Sequence, residues 1–80
     1  MRIIVALEAR QAVAGEVRAA IARRGVTAKD VAENTGIAPS TLSGRLAARA
    51  PFTTDELNAI SVYLGTHASE FFPRSRQAVA

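Results

Sequence analysis

Eighty residues with 49% hydrophobic side chains, a formal net charge of +3 and no cysteine describe one small domain with enough apolar material for a core. Without cysteine there are no disulfides or thiolate metal sites, and a single histidine with no carboxylate cluster beside it supplies no zinc ligand set. The apolar run at residues 3–7 is too short for a signal-peptide core or a membrane span, so a cytoplasmic protein is expected.

In chain order, residues 7–24 read as a first helix. Val13, Val17, Ala20 and Ile21 recur at helical spacing, and Arg18, Arg23 and Arg24 fall largely on the other side. Gly15 weakens it by about 1 kcal/mol relative to alanine, and Gly25 ends it. Residues 1–6 suit either an extension of this helix or a short β-segment, because Ile3, Ile4 and Val5 are β-branched. The extension is expected. Thr27 caps a second helix, with Asp30 at capping-box spacing, and that helix runs to residue 34 or 35. Gly36 supplies the left-handed turn, and Ile37 is expected to be its buried residue.

A third helix is expected over residues 39–48. Pro39 stands at its first position, where proline is tolerated, and Leu42 and Leu46 are spaced i, i+4. Ala38 is a poor N-cap. Residues 49–52 form a loop, with Pro51 blocking continuation. Thr53 and Glu56 open a fourth helix at capping-box spacing. Its apolar face is expected to be Leu57, Ile60, Val62 and Leu64, and Gly65 closes it. A fifth short helix at 67–72 stops before Pro73, and residues 74–80 are expected to be a disordered tail behind a single domain at 1–73. The fold class that follows is all-α, a compact five-helix orthogonal bundle containing a helix-turn-helix at 27–48.

Charge is distributed unevenly. Between residues 34 and 54 there is no carboxylate, while Arg45 and Arg49 lie there; Asp30 and Glu33 precede the window, and Asp55 and Glu56 follow it. The third helix is therefore free of acids along the sequence, as a polyanion partner requires.

The order of these elements resembles the lambda-repressor-like family of DNA-binding domains, of the Cro and XRE type. Val31-Ala32, Gly36-Ile37, Ser40-Thr41-Leu42-Ser43, the Pro51-Phe52 loop, Leu57-Ile60-Leu64 and the ending Leu64-Gly65 with Phe71-Phe72 carry the likeness, over residues 15 to 73. Residues 44–61 look particularly like small regulators of actinobacterial phages and their hosts. The resemblance implies a transcriptional regulator, a repressor of phage or prophage type, binding double-stranded DNA on the nucleoid of a bacterial or phage-infected cell. Three residues depart from the family pattern. Ala28 stands where many relatives carry a phosphate-binding glutamine, Ala38 replaces a serine or threonine, and Gly44 replaces a long polar or basic residue.

Carried over residue by residue, the base-facing positions are Pro39, Ser40, Ser43 and Gly44. Arg45 joins them from the recognition helix, since a guanidinium serves guanine or phosphate alike. Its alternative is a solvated arginine or a salt bridge to Glu33. Thr27, Ala28, Lys29, Thr41 and Arg49 are the expected phosphate contacts, Thr27 and Ala28 through backbone N–H groups at the start of the second helix. One domain buries too little surface for high specificity, so a homodimer is expected, joined through Ile3, Ile4, Val5 and Leu7 or through Phe71-Phe72. The aromatics Phe52, Tyr63, Phe71 and Phe72 are expected in or beside the core, and His67 at the surface. No catalytic constellation, cofactor site or small-molecule substrate is expected. The rival reading is a protein-interaction helix-turn-helix, such as an antitoxin or adaptor.

Overall fold

A computed structural model describes the backbone of residues 2–72 and the side chains of residues 7–72. The expected tail at 74–80 and the side chains of Ile3, Ile4 and Val5 lie outside the described residues. The chain folds as α1 (Arg2–Arg24), α2 (Ala28–Thr35), α3 (Pro39–Leu46) and α4 (Thr54–Leu64), followed by a 3₁₀ turn at Ala68–Phe71. The N-terminal residues thus extend α1. Among the described residues there is no strand.

Among the described residues the all-α bundle has four α-helices rather than five. The last segment stays a 3₁₀ turn because Phe72 is extended (φ −102°, ψ 140°), and the proline that follows it in sequence disfavours the helical region for the residue before it. α2 packs on both α3 and α4, while α1 lies across α3, α4 and the 3₁₀ turn. Val17, Ala20 and Ile21 of α1 meet Val31 and Ala32 of α2, Leu42 of α3, Leu57, Ile60 and Leu64 of α4, and Phe71. Each of these side chains is almost wholly buried, worth roughly 1.5–3 kcal/mol for each large aliphatic or aromatic one.

Three expectations about burial change. Val62 is 72% exposed, and Ser61 takes the buried place, its hydroxyl donating to the Asn58 carbonyl at 2.8 Å. Leu57, Ile60, Ser61 and Leu64 follow the 3.6-residue period, and Val62 falls outside that stripe. Ile37 is only half-buried, packed at the rim of the core. Phe71 is fully buried, so it is core and presents nothing to a second copy, whereas Phe72 and Leu7 are exposed. Phe52 and Tyr63 are half-buried against the core, and His67 is exposed.

α3 also ends two residues earlier than residue 48. Ala48 takes a left-handed conformation (φ 61°), and two crossed bonds close the helix, Ala48 N–H to the Arg45 carbonyl at 3.0 Å and Arg49 N–H to the Gly44 carbonyl at 2.9 Å. α4 ends in the same way at Gly65, with bonds to Val62 and Ser61. This is the helix-stop geometry that glycine usually serves. At α3 an alanine adopts it, so the usual sequence signal is missing.

The revised α4 stripe has a direct test. Ile60→Ala is expected to lower the unfolding free energy by about 2–5 kcal/mol, whereas Val62→Lys changes it by less than about 0.5 kcal/mol, both read from urea denaturation midpoints.

Candidate nucleic-acid interface

The helix-turn-helix is assembled from local bonds that the sequence encodes residue by residue. The Thr27 N–H donates to Asp30 Oδ2 at 3.0 Å and the Asp30 N–H donates to Thr27 Oγ1 at 3.1 Å, closing a reciprocal cap at the start of α2. The Thr27 backbone bond, with help from its hydroxyl, holds the Asp30 carboxyl below the usual carboxylate range. At the other end Gly36 turns left-handed (φ 78°) and its N–H reaches the Ala32 carbonyl. Thr35 ties the turn together, its hydroxyl donating to the Val31 carbonyl at 2.7 Å and accepting from the Ile37 N–H at 3.4 Å.

α3 then starts at Pro39 with no side-chain cap from Ala38. Pro39, Ser40 and Ser43 are exposed on its outer side, and Thr41 and Gly44 are half-buried. Thr27, Ala28 and Lys29 are exposed at the start of α2, and Arg49 is exposed just past the end of α3. The structure brings Ala28, Lys29, Pro39 and Ser43 together around one concavity of about 540 Å³. Thr41 and Arg49 do not line it.

Arg45 is engaged within the fold. Its Nε donates to Glu56 Oε1 at 2.9 Å and an Nη to Oε2 at 3.2 Å, a two-pronged pair with both side chains largely covered, 23% and 16% exposed. The ion-pair partner is Glu56, not Glu33. Glu56 also accepts the Thr53 N–H at 2.9 Å while the Thr53 hydroxyl accepts the Glu56 N–H, so one carboxylate caps α4 and anchors α3. The Arg45 bond holds the Glu56 carboxyl below its ordinary value against the opposing effect of burial, with Thr53 adding to the same effect. The window that is acid-free along the chain is thus entered in space by the first acid-bearing turn after it.

Two α1 arginines complete the support of α3. Arg18 donates from an Nη to the Leu46 carbonyl, and Arg10 donates from an Nη to the Arg49 carbonyl at 3.3 Å. The Leu46 carbonyl is one that the helix end leaves without an intrahelical partner, and the Arg49 carbonyl belongs to the loop that follows. No sequence signal marked them, because the contacts span 28 and 39 residues. Among the described residues no group of three or more His, Cys, Asp or Glu side chains converges on a metal position, and no helix is long and apolar enough to cross a membrane.

The Glu56 bonds imply a signed pH dependence. Because its folded-state value is lowered, Glu56 stabilises the fold above its unfolded value of about 4.3 and loses that contribution as pH falls through the folded value. Glu56→Gln is therefore expected to be less stable than the wild type at pH 7, and its denaturation midpoint should decline less on acidification. Parallel pH profiles for the two proteins check this.

A helix-turn-helix family model matches residues 17–71, more than half of the chain and the whole of α2, α3 and α4. No curated protein and no solved structure matches. With the Thr27 cap, the Gly36 turn and the exposed start of α3 in place, the family is settled: the chain belongs to the lambda-repressor-like (Cro/XRE type) helix-turn-helix domains, a DNA-binding family of transcription regulators.

Proposed function

We propose that the protein binds double-stranded DNA sequence-specifically as a transcriptional repressor of phage or prophage type, with α3 entering the major groove and the start of α2 on the sugar–phosphate backbone. The observation that carries this reading is the exposed outer side of α3. Pro39, Ser40 and Ser43 are solvent-facing, exposed Lys29 and Arg49 lie on neighbouring segments, and the Glu56 carboxylate beside α3 is paired with Arg45. Ser40 and Ser43 bond base edges, and Pro39 and Gly44 permit close approach. Thr27, Ala28, Lys29, Thr41 and Arg49 meet phosphates. Arg45 contributes by holding α3 against α4, and a base contact from it requires the Glu56 pair to open.

A second copy on an inverted repeat, with half-sites about one helical turn apart, supplies the specificity that two hydroxyls alone do not. Of the residues expected at the dimer contact, Leu7 and Phe72 are exposed and available to join the copies. A second reading, a protein-interaction module such as an antitoxin or adaptor, draws support from the weak base-reading potential of Pro39, Ser40 and Gly44.

Salt titration of duplex binding tests the choice. The wild type is expected to lose affinity steeply with salt, and Lys29→Ala with Arg49→Ala is expected to reduce the log–log slope by about 1.8 for two phosphates lost. Weak binding that ignores salt selects the interaction module. Gly44 gives a test with opposite signs. A Cβ there meets nothing within 4 Å in the free protein, so Gly44→Ala should stabilise the fold by about 0.5–1 kcal/mol. If the helix backbone approaches the groove floor at Gly44, the same change weakens binding to a selected operator.

A further inference from the structure

The concavity of about 540 Å³ beside α3 is bounded on its far side by α1, through Arg18. Its lining is mostly carbon, with Ala28, Pro39, Leu46 and Ala47 among the residues that shape it. Its two charged residues, Arg18 and Lys29, are both cations, and no carboxylate lines it. Carbon walls with like-signed cations suit a deoxyribose–phosphate strand, whose sugars present carbon faces and whose phosphates present single negative charges. The concavity also adjoins the side of α3 that carries Pro39 and Ser43, so a strand lying in it borders the groove that α3 would occupy.

Arg18 lines the concavity and is held at the end of α3. One Nη is bonded to the Leu46 carbonyl, and the other lies 3.7 Å from the point where a side chain on Gly15 would begin. The guanidinium is planar with five donors in fixed directions, so fixing it at Leu46 fixes the direction of the rest. The residue is exposed, and its remaining donors have no protein acceptor among the described side-chain bonds.

Resting on the DNA-binding reading above, we infer that Arg18 of α1 is a backbone clamp. It bonds the last carbonyl of α3 and a phosphate of the strand in the concavity at the same time. α1 then does more than fill the core. It ties the end of the recognition helix to the DNA backbone, a place where Ala28 offers no side-chain donor.

The test measures binding of the wild type, Arg18→Gln and Arg18→Lys to a short random-sequence DNA duplex across a salt series. Melting curves confirm that each variant is folded at the assay temperature. Arg18→Gln loses the charge while keeping a polar side chain. It is expected to lower the log–log slope by about 0.9, so that the affinity ratio between about 50 and 200 mM salt shrinks about 3.5-fold. Arg18→Lys should retain the wild-type slope, which a purely helix-capping role for the guanidinium does not require. If the wild type binds steeply and Arg18→Gln keeps its slope, the clamp is wrong while the DNA-binding reading stands. The clamp is equally overturned if Arg18→Lys loses the slope together with Arg18→Gln. If the wild type shows no salt-dependent binding, the DNA-binding reading itself falls and takes the clamp with it.

Discussion

An eight-residue helix does not hold its shape alone in water, because nucleation is costly and few bonds follow it. Everything that α3 presents therefore depends on how the rest of the fold grips it. Leu42 plugs it into the core, Arg45 fastens it to Glu56 at the head of α4, and Arg18 takes its final carbonyl. These three anchors leave α3 from different directions, toward the core, α4 and α1. Pro39, Ser40 and Ser43 remain outward because the anchors use up the other sides.

Much of this was legible in the sequence because it is local. Both capping boxes lie within four-residue windows, and Gly25, Gly36 and Gly65 stand where the backbone turns left-handed. The illegible parts have identifiable causes. α3 stops at Leu46 through a geometry that glycine normally marks, and Ala48 adopts it without that mark. Val62 looks like core by composition, yet the phase of Leu57, Ile60 and Leu64 places Ser61 inward instead. The Arg45–Glu56 pair crosses a loop, so no periodicity connects the two residues. Arg45, expected at the base edges, is also a residue the fold uses to hold α3 against α4.

Charge counted along a chain and charge arranged in space thus give different accounts of one surface. The absence of acids from 34 to 54 is real, but Glu56 reaches across the loop to α3 and is cancelled there by Arg45. Exposed Lys29, Arg49 and Arg18 carry the outward positive charge near α3. Long-range attraction for a polyanion follows from that arrangement more than from the modest net charge.

The double use of Glu56 has a consequence for motion. Its two oxygens serve the first turn of α4 and the last turn of α3 together, so fraying at one helix end withdraws an anchor from the other. Opening of either turn therefore loosens the hold on the other, which couples the two helix ends. The surface offered by α3 is in this sense as rigid as the start of α4.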